Sequence, residues 1–250
     1  MKRFMFVLFV LPLLISCSMV SNDVSFSTNG FQLSLNKSGS ISKLLDLKSK
    51  KNVLAQQENA PFISMRVAGD LLTPHSVTYE KEVNTLLFSF QNNIEASVLV
   101  VSKENHLTFE LIALTNSEDI ELVVWGPYPT IMNKIIGETV GVIQGEEFAI
   151  GIQSLNPKTL GGYPWSENDC MPQIDIFDQD DSSDMTEEGK RYVLYRVEAA
   201  KPQAYGGSLQ AYCRNRNTER IIENWGHEKY TAPPFDDGGM IGSKIALFGC

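Results

Sequence analysis

Long apolar runs, histidine, cysteine and positive charge are all scarce in this chain. Lysine and arginine number 21 against 30 acidic residues, for a formal charge of −9. A nucleic-acid binder needs a basic footprint, and a negative field of this size argues against one. Only one apolar run stands out, Phe4 to Ile15 after Met1-Lys2-Arg3. It is too short to span roughly 30 Å of hydrocarbon as a helix. It has the length of a secretory-signal core behind a positive start. The four cysteines, Cys17, Cys170, Cys213 and Cys250, include no pair at the close spacing of a zinc site. Long amphipathic helical runs, heptads and internal repeats are absent, which favours an all-β chain.

What is present is alternation. Leu86/Phe88/Phe90, Ile94/Ala96/Val98/Val100, Leu107/Phe109/Leu111 and Ile120/Leu122/Val124 each place apolar side chains on one face of a strand. Polar gaps at Asn92-Asn93, Lys103 to Asn105 and Asn116 to Asp119 join these runs as antiparallel hairpins. The pattern predicts one meander with an oily face, which a second sheet must cover. Further strands are expected at Phe31 to Leu35, Ile41 to Leu47, Val53-Leu54, Phe62 to Val67 and Leu71 to Tyr79, where Pro74 marks an edge or bulge. Others follow at Glu138 to Ile143, Phe148 to Ile152, Arg191 to Glu198, Ser208 to Arg214 and Lys244 to Phe248. Asn217 to Trp225 reads as a short helix or a strand. The fold class is all-β, a two-layer antiparallel β-sandwich.

Leu14-Ile15-Ser16-Cys17 resembles the bacterial lipoprotein box, in which the cysteine is acylated and becomes the new amino terminus. The resemblance implies a signal peptide over 1–16, a lipidated tether over 17–25 and one domain over 26–250. Burial of the lipid chains would contribute about 0.8 kcal/mol per methylene. An ordinary secretory signal with an incidental cysteine is the plainer alternative. Of the remaining cysteines, a Cys170–Cys213 bridge and three unpaired thiols stay equally open. The last strand runs almost to Cys250, and the chain is expected to be cut from a longer protein.

The hairpin Phe31 to Leu54, with Gly39 in its turn, Ile41, Leu44 and Asp46 in an I-x-x-L-x-D pattern and Lys48 and Lys51 in a K-x-x-K turn, resembles the first hairpin of galactose mutarotase-like β-sandwich domains. Such domains precede the catalytic barrel in several bacterial glycoside hydrolase families, often as surface lipoproteins. Gly242 to Gly249 is similar to the last strand of one. The resemblance implies a cell-envelope location and a glycan as partner. It also implies a catalytic domain beyond Cys250, where a glycosidase's acids would lie. True mutarotases move a proton with two histidines and a glutamate. None of His75, His106 and His227 has a mutarotase-like context.

Sugar recognition needs flat apolar faces beside a few placed polar groups. Trp125 and Tyr128 end a strand and enter a Gly-Pro loop, either as a binding edge or packed between the sheets. Tyr163 and Trp165 sit in a Gly/Pro loop. Arg214, Arg216, Glu223, Trp225 and His227 form a polar-aromatic cluster that reads as a sugar cradle or as a solvated face. His227 with Glu223 or Glu228 is the alternative acid–base pair of an aldose epimerase-like or glycan-active enzyme. Asp175, Asp178, Asp180, Asp181 and Asp184 invite calcium, but the EF-hand spacing fails and an exposed acidic loop is the plainer reading. No other cofactor is indicated. A structural or interaction lipoprotein without a ligand is the third function class.

Overall fold

The computed structural model describes residues 23–136, 141–162, 206–222, 230–236 and 239–250. These are all-β. The chain begins with β1 (Val24–Ser27), β2 (Phe31–Leu35) and β3 (Ile41–Asp46), then β4 (Ile63–Val67), β5 (Asp70–Leu72) and β6 (Ser76–Glu80). The long strands follow: β7 (Thr85–Ser89), β8 (Glu95–Ser102), β9 (His106–Leu114) and β10 (Ile120–Pro129). Short strands β11 (Ile135–Ile136), β12 (Val142–Gln144), β13 (Ala149–Ser154) and β14 (Leu160–Gly161) lead to β15 (Ser208–Arg214). The last are β16 (Arg220–Ile222), β17 (Tyr230–Ala232) and β18 (Lys244–Gly249).

Three sheets build the body. One has eight strands in the order β11-β12-β13-β18-β9-β8-β7-β6, one has five in the order β14-β15-β10-β4-β5, and one is β1-β2-β3. A separate ribbon pairs β16 with β17. The three- and five-stranded sheets lie side by side, tied by bridges Ser40–Pro61 and Leu54–Thr130. Both face the eight-stranded sheet. Phe62, just before β4, stacks on Phe88 of β7 at 5.8 Å and meets Phe109 of β9 edge-on at 4.7 Å. Phe26 of β1 meets Phe109 and Tyr79 edge-on at 6.2 and 5.1 Å. This gives a two-layer sandwich whose aromatic seam contributes about 1.5–3 kcal/mol for each fully buried ring. The layers come close backbone to backbone at Gly30, where a Cβ would lie 2.2 Å from the carbonyl oxygen of Gly249.

The alternation of β7, β8 and β9 lies as expected, with Leu86, Phe88, Ala96, Val98, Val100, Leu107, Phe109 and Leu111 all buried. The fourth strand of the expected meander is a correction. β10 does not continue that sheet but crosses to the opposite layer, between β4 and β15. The register shifts between Ile120 and Leu122, as a bulge does when it inserts a residue and changes which face follows. Val123 and Trp125 therefore join Ile120 in the main core, while Leu122 and Val124 pack with Tyr212 on the far face. Alternation alone could not show this, because both faces of β10 are covered.

Pro74 splits the expected Leu71 to Tyr79 strand. β5 ends one layer and β6 begins the other. Domain structure also starts earlier than expected, since β1 at Val24 already pairs with Leu35 of β2 inside the anticipated tether. Arg220–Ile222 is a strand rather than a helix. Val53-Leu54 makes a single bridge rather than a strand, and Phe148 lies just before β13. The expected Arg191 to Glu198 strand and the signal over 1–16 lie outside the described residues.

Candidate functional site

Two of the expected sugar platforms are core residues. Trp125 and Tyr128 are 0% and 1% exposed. The Trp125 indole N–H donates to Ser243 Oγ at 2.9 Å, and the Tyr128 hydroxyl donates to the Phe62 carbonyl at 2.7 Å. Burial pushes the Tyr128 phenol well above its ordinary pKa. Both rings also contact Phe62, at 5.9 Å. Neither can present a face to a ligand. The placement follows from β10's register: its inward residues lie directly over the opposite sheet, not at the rim.

Arg214 is also buried and lies over the Tyr212 ring, 5.6 Å from its centre. Arg216 lies 4.4 Å above Phe235 and donates to the Pro233 carbonyl at 2.6 Å. Its guanidinium thus pins the 233–236 loop. Tyr163, Trp165, Glu223, Trp225, His227, Glu228, Cys17, Cys170 and the acidic stretch with Asp178, Asp180 and Asp184 lie outside the described residues. Cys213 is buried and Cys250 exposed. No cluster of metal-ligating side chains occurs among the described residues.

His75 and His106 do not converge. The His75 N–H bonds to the Ser89 carbonyl, Ser89 pairs with Glu95, and Glu95 accepts from the Thr115 N–H. His75 therefore aligns with the Thr115 end of β9, whereas His106 begins that strand. At roughly 3.3 Å per residue the two stand tens of ångströms apart along the sheet. They cannot form a proton-transfer pair.

The sandwich instead has a cleft where two sequence-distant turns approach. It measures about 280 Å³. One wall is the turn after β3 with Asp46, Ser49 and Lys51; the other is the β12–β13 hairpin turn from Gly145 to Phe148. The segment 131–134 closes the base. The Ile131 N–H bonds to the Val53 carbonyl at 2.9 Å and the Lys134 N–H to the Gln144 carbonyl at 3.1 Å. Val53, Met132 and Phe148 form a buried apolar floor beside exposed Ile131. Ser49, Lys51, Asn133, Lys134, Glu146 and Glu147 form a polar rim.

Asp46 holds one wall in place. It accepts from the Lys48 and Ser49 backbone N–H groups at 2.9 and 3.2 Å, and from the Ser49 hydroxyl. Burial drives its pKa up, but the Ser49 hydroxyl, these two N–H groups and the Lys48 charge together outweigh it. The carboxyl is held below its ordinary value, the wrong direction for a general acid near neutral pH. Opposite it, Lys134 Nζ and Glu146 pair at 2.8 Å with side chains 47% and 82% exposed. A pair so exposed adds little stability and leaves both groups open to a ligand. The cleft thus offers ammonium donors, carboxylate and amide partners and an apolar floor. The first wall was visible in the sequence as the K-x-x-K turn, but nothing in the linear order showed that residues about a hundred apart would line one opening.

No family model matches the chain, and no curated protein is similar to it. Among solved structures, a polysaccharide lyase aligns at 10% identity and TM-score 0.37, over 90% of this chain and 33% of the lyase. A family GH31 sulfoquinovosidase from E. rectale, solved with an aza-sugar inhibitor, aligns at 11% identity and TM-score 0.26, over 91% and 32%. The chain spans about a third of either protein. TM-scores this low carry no argument for a shared fold or activity.

Proposed function

We propose that this chain is a carbohydrate-associated β-sandwich module of the galactose mutarotase-like kind, binding glycan rather than transforming it. It sits at a bacterial cell envelope through lipid on Cys17 and precedes the catalytic domain of a glycoside hydrolase-like protein. The observation that carries the reading is the cleft between the Asp46 turn and the Gly145 to Phe148 turn. A sugar ring has an apolar C–H face and a belt of hydroxyls, and this opening has an apolar floor inside a belt of donors and acceptors. Its volume suits one or two sugar units. The first hairpin adds support. Ile41 and Leu44 of the I-x-x-L-x-D pattern are buried, and its Asp46 organises the following turn.

The test is calorimetric titration of the purified chain with six hexasaccharides: cello-, malto-, xylo- and mannohexaose, hexagalacturonate and a chondroitin sulfate hexasaccharide. Binding of at least one is expected, weakened about tenfold in Lys134→Ala and Glu147→Ala, which each remove one charged partner. No binding to any of the six overturns the glycan reading. Catalytic turnover by the chain alone would overturn the binding-only role.

A further inference from the structure

We propose that the outward face of the eight-stranded sheet carries a second saccharide contact, a platform built on Phe248 that selects uncharged glycans. It rests on the glycan reading above and adds to it a place and a charge class. Strand pairing sets Phe248 of β18 opposite His106 of β9 on one side and Gly151 of β13 on the other, with Val142 of β12 beyond. Their sequence neighbours Leu107, Leu247, Ile150, Ile152 and Ile143 are all core residues. This row therefore lies on the face turned away from the other layer.

The glycine decides how the ring lies. A Cβ on Gly151 would stand 2.3, 2.5 and 3.0 Å from Cζ, Cε2 and Cε1 of Phe248. Distances so similar mean that the flat of the ring, not its edge, covers the glycine. Phe248 is half-buried, with one face on the β13 backbone and the other directed away from the sheet. Any larger residue at 151 would tip the ring up. The next row is low: Thr108 and Ala246 are 9% and 6% exposed, shadowed by taller neighbours, while Gln153 beside them is exposed. Diagonal neighbours on a sheet stand about 7–8 Å apart. A pyranose laid on the open face of Phe248 thus has the Gln153 amide and His106 within reach of its hydroxyls.

Charge narrows the ligand. The next row holds Glu110 and Lys244, closed on each other at 2.8 Å. That pair is neutral as a unit, Thr108 and Gln153 are uncharged, and the whole chain carries −9. Among the described residues the cation of this row is Lys103, opposite His106 and two strands from the ring, while the chain as a whole is negative, so a uronate or sulfate would approach against the protein's field. A neutral glycan meets no such barrier.

The experiment repeats the six titrations with Phe248→Ala, Phe248→Leu and Gln153→Ala, with circular dichroism of each variant. Phe248→Leu keeps apolar bulk over Gly151 without the flat ring, and Gln153 is exposed, so at least these two variants should fold. A neutral hexasaccharide is expected to bind, about tenfold more weakly in both Phe248 variants and a few-fold more weakly in Gln153→Ala. If the parent chain binds but Phe248→Leu matches it within about twofold, the platform is wrong and the glycan reading stands. Preference for hexagalacturonate or the sulfated sugar overturns the charge selection. No binding by the parent chain removes both proposals.

Discussion

Replacing Ser243 by alanine removes the middle of a buried hydrogen-bonded chain whose proton directions are fixed by its ends. Asn156 donates through its amide nitrogen to the Gly242 carbonyl, so its Oδ1 is left to accept from Thr159 at 3.0 Å. Thr159 Oγ1 has then spent its proton. It accepts from the Lys244 N–H at 2.9 Å and from the Ser243 hydroxyl at 3.0 Å. Ser243 Oγ in turn accepts from the Trp125 indole at 2.9 Å. Trp125 and Ser243 are both wholly buried, so no water replaces the lost hydroxyl. The alanine variant strands a buried indole N–H, at a cost of about 1–3 kcal/mol. Thr159 loses one of its two donors and keeps the other, which adds little. In a domain of this size that corresponds to a melting point lower by about 3–9 °C.

The assay is urea unfolding followed by circular dichroism, run as a double-mutant cycle with Trp125→Phe. Once the indole is gone, Ser243→Ala should cost much less, giving a coupling of about 1–2 kcal/mol. A Ser243→Ala variant within about 0.5 kcal/mol of the parent, or strictly additive single changes, would refute the chain.

The same bookkeeping of buried groups gives three further expectations. Asp46 has a folded pKa below its unfolded one, so its contribution is full above the unfolded value of about 4 and is lost as pH falls through the folded value; Asp46→Asn should flatten stability in that acid window, measured by urea midpoints across pH. Tyr128 has its pKa raised by burial, so its contribution is full below about pH 10 and drains away as pH climbs from there toward the folded value. Absorbance at alkaline pH should show fewer tyrosines titrating in the folded chain than in urea, and Tyr128→Phe should narrow that difference by one. Gly30→Ala would drive a methyl into the Gly249 carbonyl, and it should destabilise by more than about 2 kcal/mol in denaturant titration, far beyond a surface glycine change.

Much of the sandwich was legible because its strands bury one face each. β9 was placed correctly between the polar gaps Lys103 to Asn105 and Asn116 to Asp119, and β15 from a run ending at Arg214. Where both faces are covered the period-two signal vanishes. β10 illustrates this: Leu122 through Trp125 are all buried, and the layer it joins was not readable from the pattern. The site was less legible still. Trp125 and Tyr128 read either as a binding edge or as packed between the sheets because Gly126-Pro127 signals a loop, yet the strand continues to Pro129 and buries both. The cleft depends on the approach of the turn at 46–51 to the turn at 145–148, a long-range closure that no local motif encodes. Phe248 read only as the end of a buried strand, because the glycine beneath its ring belongs to β13, nearly a hundred residues earlier.

Amide chemical-shift mapping of the ¹⁵N-labelled chain during titration with the best-binding hexasaccharide tests the central claim most directly. The account predicts that shifts cluster on Ser49, Lys51, Asn133, Lys134, Glu146 and Glu147, with saturation at the calorimetric affinity. A binding sugar that leaves those amides unmoved, or no sugar that moves any amide, would contradict it.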